Sequence, residues 1–135
     1  MDLSSHGIVS LVRNENNQFL LLEDGRPEMH GHWAPPHGRC EQSDISEEAG
    51  VIRETFEETG LQVKPVRKIL TQPADTKVKT VSFWLVETLS DEINLDTEES
   101  SNYGWFTIEQ ALGLTLYPGT KLFFEKVLAN EVALN

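Results

Sequence analysis

Three glutamates, Glu54, Glu57 and Glu58, recur at helical spacing near the middle of the chain. Residues three and four positions apart are neighbours on an α-helix, so these carboxylates are expected to lie side by side. Glu47 lies two turns earlier and extends the same stripe. Such like-charged pairs destabilise a helix by about 0.2–0.5 kcal/mol each. Because Mg²⁺ is typically held by one or two carboxylates together with substrate phosphates, the stripe fits a metal platform that binds phosphate.

The same acids also fit a simpler interpretation, a solvated helix face. The chain as a whole is acidic, with a formal net charge of −11. From the stripe alone the solvated face is the more frequent outcome, since most charge runs lie on protein surfaces. The segments around the stripe have to decide between the two interpretations.

The stripe needs a helix to hold it, and residues 46–59 predict one. Ser46 is a favourable N-cap, and the two acids that follow it suit the positive end of the helix. Gly60 is expected to end the helix at its C-terminus. The apolar residues at helical spacing, expected to face the core, are Ala49, Ile52 and Phe56.

The remaining segments alternate loosely between strands and helices. An irregular stretch at 24–45 is expected to hold a short strand near Trp33, and the turn at 14–17 predicts a hairpin. The pattern predicts an α/β fold in which a mixed sheet is packed between helices, as one domain over residues 1–135. Strands are predicted at 7–13, 18–23, 61–70, 79–89 and around 103–106, and helices at 107–112 and 119–130.

Composition and charge restrict the location and the partners. Cys40 is the only cysteine, so no internal disulfide can form, which suits a reducing compartment. No apolar run approaches the roughly 20 residues that span a bilayer. The opening MDLSSHGIVS lacks the features of a signal peptide, so a cytoplasmic location is expected. The net charge disfavours nucleic acid and anionic membranes as partners. Both a monomer and a homodimer are compatible with the sequence.

Residues 38–61 resemble the Nudix box. They read GRCEQSDISEEAGVIRETFEETGL, and the second half follows the box pattern Arg-Glu-U-x-Glu-Glu-x-Gly-U, where U is apolar, except at Thr55. The first half is looser, because Asp44 stands where the box has Glu. Eight residues rather than seven then separate Asp44 from Arg53. One residue is therefore inserted before the helix, and the role of Asp44 is left open.

Three flanking segments narrow the resemblance to diadenosine tetraphosphate (Ap4A) hydrolases within the Nudix hydrolase superfamily. Each is similar to a segment of those enzymes, and they occur in the same order. The segments are GHWAPPHG at 31–38, KTVSFWL at 79–85 and ESSNYGW at 99–105.

The resemblance implies a Nudix α/β/α sandwich that binds Mg²⁺, for which Mn²⁺ can substitute. A metal-activated water would attack phosphorus, and a carboxylate would take its proton. Arg53 would orient the nearby carboxylates and counts among the catalytic residues with the glutamates. The metal ligands that the resemblance implies are Glu54, Glu57, Glu58 and the carbonyl oxygen of Gly38, and Glu99 is either a further ligand or the base. Glu99 also fits a solvated loop, since it lies in the acidic run 96–99.

The resemblance also implies residues that contact the substrate. Tyr103 would stack on a nucleobase, and Lys79 would contact phosphate. Each has a structural alternative, since Tyr103 fits an ordinary strand residue and Lys79 a surface lysine at a strand start. The loop before the helix adds His37, Arg39 and Trp33 to the substrate-binding set.

The function implied is hydrolysis of a pyrophosphate bond in nucleoside polyphosphates, with dinucleoside polyphosphates such as Ap4A as the leading substrates. A pyrophosphohydrolase of (d)NTPs or oxidised NTPs is the alternative, because it shares the same box. A non-catalytic nucleotide-binding module would be expected to lack box glutamates, and all three are present. Glu57 and Glu58 are both expected at the protein surface.

Overall fold

A seven-stranded mixed β-sheet carries helices on both faces in the computed structural model, which describes residues 5–74 and 78–134. A 3-10 turn, Pro27–Met29, lies between the second and third strands. The strands are β1 (His6–Arg13), β2 (Phe19–Asp24), β3 (Trp33–Ala34), β4 (His37–Arg39), β5 (Val63–Pro73), β6 (Thr80–Thr88) and β7 (Ser100–Phe106). The helices are α1 (Glu47–Thr59), α2 (Ile108–Ala111) and α3 (Pro118–Leu128).

The sheet is mixed because β1 runs parallel to β6 and antiparallel to its other partners. The main path of strands is β3-β2-β1-β6-β5, with β4 paired to β1 and β7 paired to β2. β4 pairs Gly38 with Ile8, and β7 pairs Tyr103 with Leu22. These two pairings bring the loop before α1 and the segment after Glu99 to the same side of the molecule.

The predicted hairpin between β1 and β2 is confirmed, and Asn14 explains its turn. The Asn14 side-chain oxygen accepts hydrogen bonds from the backbone N–H groups of Asn16 at 3.0 Å and Gln18 at 2.9 Å. Asn17 adopts a φ of 58°, a left-handed conformation that asparagine tolerates better than most residues.

Alternate residues of the central strands supply two separate apolar cores. Ile8 of β1 faces α1, whereas Leu11 of the same strand faces α2 and α3. On the second face Phe83 of β6 stacks on Phe123 of α3 with ring centroids 4.3 Å apart. The predicted mixed sheet packed between helices is thereby confirmed, since each face of the sheet buries its own helix.

Both predicted caps of α1 are confirmed. The hydroxyl of Ser46 accepts from the backbone N–H of Ala49 at 3.1 Å, and Gly60 ends the helix with a φ of 75°. Thr107 likewise caps α2 and forms a capping box with Gln110. The helix at the end of the chain begins at Pro118, which suits the first helical position because proline has no N–H to leave unpaired.

The predicted core face of α1 is wrong. Ile52 and Phe56 are 43% and 53% exposed, and Ala49 is half-buried. The helix instead turns Val51 and Thr55 towards the sheet, and the Thr55 hydroxyl donates to the Ser10 hydroxyl at 2.9 Å. With Val51 and Thr55 against the sheet, the acidic side of α1 lies over β4. The apolar residues Ile52 and Phe56 are therefore left at the surface.

Two further features complete the fold. The short strand β4 was not predicted, because its three residues lie in a stretch rich in proline and glycine. Strand β7 begins three residues earlier than predicted, at Ser100. Within the described residues, no helix has the length and apolar character needed to cross a membrane.

We expect Phe123→Ala to lower the free energy of unfolding by about 3–5 kcal/mol, because it removes a fully buried ring and the stacking of that ring on Phe83. Urea unfolding measures this change. Phe56→Ala is the matched control, and its expected effect is within about 0.5 kcal/mol because the ring is largely exposed. A comparable loss in both variants would contradict the orientation of α1.

Candidate active site

Gly38 allows α1 to approach β4 closely enough to place a carboxylate on it. A Cβ atom built on Gly38 would lie 2.2 Å from the carboxyl carbon of Glu54, far inside van der Waals contact. Any other residue would therefore push the Glu54 side chain away. The Gly38 carbonyl oxygen lies towards β1, 3.2 Å from a Cβ atom built on Gly7, and its role as a metal ligand stays a prediction.

Arg53 holds the acids of α1 in place. Its Nη1 atom lies 2.9 Å from Glu54 Oε1 and 3.3 Å from Glu57 Oε2. Its Nη2 atom also donates to the carbonyl oxygen of Arg39 at 3.2 Å, which ties α1 to β4. Arg53 therefore has the orienting position that the box resemblance implies.

Asp44 anchors Arg53 despite the inserted residue. The two carboxylate oxygens of Asp44 accept from Nε and Nη2 of Arg53, both at 2.9 Å. The backbone N–H of Glu41 donates to the same carboxylate at 2.8 Å. These hydrogen bonds, with Arg53 the strongest influence, hold the pKa of the buried Asp44 below its usual range. The loop before α1, although it contains one inserted residue, therefore still places an acidic side chain against Arg53.

Glu58 is buried, which corrects the expectation that it lies at the surface. Its Oε2 atom accepts the backbone N–H of His37 at 2.9 Å. Among the described residues no ion pair neutralises it. Burial raises its pKa well above the usual range, and the charges of Glu54 and Glu99 add to this. A carboxylate in this situation favours either a proton or a cation.

Glu99 approaches the acids of α1 from the loop before β7. Its carbonyl oxygen accepts from the backbone N–H of Gly25 at 2.9 Å, which fixes the loop against the end of β2. Glu99 and Glu58 line the same pocket. Burial raises the pKa of Glu54, the charges of Glu57 and Glu99 add to the rise, and Arg53 opposes it. Glu54, Glu58 and Glu99 therefore lie near enough to interact electrostatically, whereas Glu57 is more exposed beside them.

Glu47 does not join this cluster, although the sequence placed it on the same stripe. Its carboxylate accepts from Lys68 Nζ at 2.9 Å and from Trp84 Nε1 at 3.1 Å. Although burial opposes the change, these hydrogen bonds lower the pKa of Glu47 to about 2. At this end of α1 the acid has a structural role.

The donor set suits a hard divalent cation. Carboxylate oxygens are the ligands that Mg²⁺ and Mn²⁺ accept, and the buried, unneutralised Glu58 gives such an ion an electrostatic reason to bind. Among residues 5–74 and 78–134, no three His, Cys, Asp or Glu side chains are arranged to hold a metal ion. Arg53, which pairs with Glu54 and Glu57, takes part of the charge that a cation would otherwise take.

Two of the predicted substrate residues lie at or beside the pocket. His37 lines it, donates through Nδ1 to the carbonyl oxygen of Pro35 at 2.9 Å, and packs edge-on against Tyr117. Tyr103 is 43% exposed and pairs across the sheet with Leu22, another lining residue.

The other three predicted substrate residues lie elsewhere. Trp33 packs edge-on against Phe106 at 5.4 Å and belongs to the core beneath α2 and α3, on the opposite face of the sheet. Arg39 is exposed at the end of β4, and Lys79 is exposed just before β6. None of the three is among the residues that line the pocket. Their substrate contacts stay predictions.

Sequence reasoning missed a third group of pocket residues: Asp24, Arg26 and Tyr117. Arg26 donates through Nε and Nη2 to the two oxygens of Asp24, at 3.1 and 2.8 Å. The Tyr117 hydroxyl donates to the same carboxylate. Asp24 and Tyr117 are 93 positions apart in the sequence, so no spacing pattern connects them. The only local signal that could have drawn attention to Tyr117 is Pro118, which starts a helix directly after it.

Comparison with known proteins gives matches over most of the chain. The profile of a family described as "NUDIX domain" matches residues 5–127. The bis(5'-nucleosyl)-tetraphosphatase [asymmetrical] of Mus musculus is 31% identical over 123 residues, which cover 84% of this chain and 80% of that protein.

Two solved structures share the fold. The MutT protein from Methanosarcina mazei Go1 superposes with a TM-score of 0.76 at 28% identity, covering 93% of this chain and 94% of that one. A Caenorhabditis elegans Ap4A hydrolase binary complex superposes with a TM-score of 0.73 at 24% identity, covering 93% and 97%.

Gly38→Ala is expected to lower the free energy of unfolding by about 1 kcal/mol, because the new methyl group displaces the Glu54 carboxylate and breaks its ion pair with Arg53. The same substitution in a Glu54→Ala background should cost much less, since the overlapping group is gone. Urea unfolding of the two single variants and the double variant measures this coupling. Additive losses would show that the close approach is absent.

Asp44→Asn is expected to destabilise the protein by about 1–3 kcal/mol at pH 7. The folded pKa of Asp44 is below its ordinary 3.8, so its stabilising effect is complete above that value and is lost as the pH falls through the folded pKa. The difference in the free energy of unfolding between wild type and Asp44→Asn should therefore be smaller at pH 3 than at pH 7. Urea unfolding at both pH values measures it, with the exposed Asp91→Asn as control. An equal gap at both values would contradict the ion pair with Arg53.

Proposed function

This protein belongs to the Nudix hydrolase family, and from that premise we propose that it hydrolyses a pyrophosphate bond in dinucleoside polyphosphates such as Ap4A. The observation that supports the chemistry is that Glu58 and Glu99 line one pocket, with Glu54 close enough for its charge to act on Glu58. The choice of substrate is supported by the similarity to a bis(5'-nucleosyl)-tetraphosphatase over most of both chains.

Members of the family generally use a divalent metal, and we propose Mg²⁺, with Mn²⁺ as a substitute. The residues that would hold it are Glu54, Glu57 and Glu58, and Glu99 is the candidate base beside them. When bound, such an ion supplies positive charge for phosphate oxygens and makes water more acidic. This accounts for how a chain of net charge −11 takes an anionic substrate.

The residues of the chain prepare the site in distinct ways. Arg53 is held by Asp44 and fixes the directions of the Glu54 and Glu57 carboxylates. The backbone N–H of His37 fixes Oε2 of Glu58, which leaves Oε1 for other partners. Preorganisation of this kind spares the site the cost of rearranging during the reaction.

We assign proton acceptance from the attacking water to the Glu99 carboxylate. Glu99 is exposed on the pocket wall and makes no ion pair with Arg53, so water reaches its oxygens. A positioned carboxylate of this kind contributes roughly 10²–10⁴-fold to a rate. The half-exposed ring of Tyr103, beside the lining residue Leu22, provides a surface on which a nucleobase stacks.

A substrate panel tests the proposal. The purified protein is incubated with Mg²⁺ and Ap4A, dNTPs or 8-oxo-dGTP in ¹⁸O-labelled water, and products are identified by mass spectrometry. We expect Ap4A to give AMP and ATP faster than any NTP is cleaved, with ¹⁸O in one product. Faster cleavage of dNTPs or oxidised NTPs would replace the proposal with a nucleotide-pool pyrophosphohydrolase. No cleavage of any substrate would favour a binding module.

Glu58→Gln belongs in the same panel. It keeps an acceptor for the His37 N–H but removes the charge, so we expect turnover to fall by roughly 10²-fold or more. Glu15→Gln, in the exposed turn between β1 and β2, removes the same charge away from the pocket and should keep full activity. Full activity in Glu58→Gln would exclude Glu58 from the site.

A further inference from the structure

The pocket beside Glu58 and Glu99 contains one strongly basic side chain. Of the described residues that line it, only Arg26 is an arginine or a lysine. Arg26, Glu58 and Glu99 line the same pocket, so the guanidinium lies beside the carboxylates. In a chain with 11 basic and 22 acidic residues, a cation at this position affects an anionic ligand strongly.

The guanidinium group of Arg26 has its Nε and Nη2 atoms hydrogen-bonded within the protein, whereas its Nη1 atom is available to a ligand. Asp24 accepts from Nε and Nη2, and Nη2 also lies 3.4 Å from the Tyr117 hydroxyl. Among the described residues, no hydrogen bond is formed by Nη1 of Arg26. The side chain is 39% exposed, so a ligand in the pocket has access to that edge.

The alternative is that Arg26 only neutralises Asp24. Asp24 is buried, yet it already accepts from the backbone N–H of residue 26 at 2.8 Å and from Tyr117. Four donors therefore converge on Asp24, and the two from the guanidinium fix its plane. Such a buried anchor costs the chain nothing further when a ligand binds, because the rotamer of Arg26 is already selected.

We propose that Arg26 is a substrate-binding residue that contacts a phosphate of the polyphosphate chain through Nη1, next to the linkage cleaved. Asp24 and Tyr117 are positioning residues that act through Arg26. This inference rests on the proposed function for the identity of the substrate. The planar guanidinium suits a phosphate group because it presents paired N–H donors to it.

Steady-state kinetics of Arg26→Gln with Ap4A test the inference. We expect KM to rise roughly 10-fold or more while kcat changes less than about threefold, because one charge-assisted contact is lost. Arg26→Lys should recover part of the loss, and Tyr117→Phe, which frees the guanidinium, should raise KM less. Lys64→Gln removes the same charge on β5, at the opposite edge of the sheet, and should behave as wild type. A KM for Arg26→Gln equal to that of Lys64→Gln would overturn the assignment.

Calorimetric titration with imidodiphosphate and Mg²⁺ provides a readout that needs no turnover. We expect Arg26→Gln to weaken binding roughly 10-fold relative to both wild type and Lys64→Gln, with unchanged near-ultraviolet circular dichroism. Equal affinity in the three proteins, or no binding by wild type, would overturn the inference. If wild type cleaves no nucleotide but binds imidodiphosphate through Arg26, the proposed function fails and the phosphate contact stands.

Discussion

The distance between α1 and β4 is the constraint on which the rest of the site depends. Glu54 occupies the space that a side chain at position 38 would fill, so glycine at this position lets the Glu54 carboxylate lie against the strand. Arg53 then closes the contact by donating to the carbonyl oxygen of Arg39. The acids on this side of α1 are therefore held over backbone rather than in solvent, which raises the pKa of Glu54 and Glu58.

Because α1 turns polar residues towards the sheet, it buries less apolar surface than it could, and the opposite face of the sheet buries more. With Thr55 against Ser10 and Glu58 against β4, the sheet-facing side of α1 is partly polar, and Phe56 is left largely exposed. The opposite face of the sheet compensates with an aromatic core in which Phe83 stacks on Phe123. The active-site face thus combines a polar helix contact with its own apolar core, to which Val51 of α1 and Ile8 of β1 both belong.

In and around the pocket, two arginines neutralise part of the negative charge. Arg53 serves the acids of α1, and Arg26 serves the buried Asp24 at the end of β2. Between them Glu58 is left without an ion pair among the described residues. A buried carboxylate without an ion pair favours either a proton or a cation.

The sequence by itself determined the local features, because caps, turns and box spacing depend on neighbouring residues. Ser46, Gly60 and Thr107 end or begin helices as predicted, and the Arg53–Glu58 run identified the family. The exposure of Phe56 and the burial of Glu58 were decided by the tertiary structure, since helical spacing fixes which residues share a face but not which face meets the sheet. The contact of Tyr117 with Asp24 joins distant segments, and only the folded sheet brings such segments together.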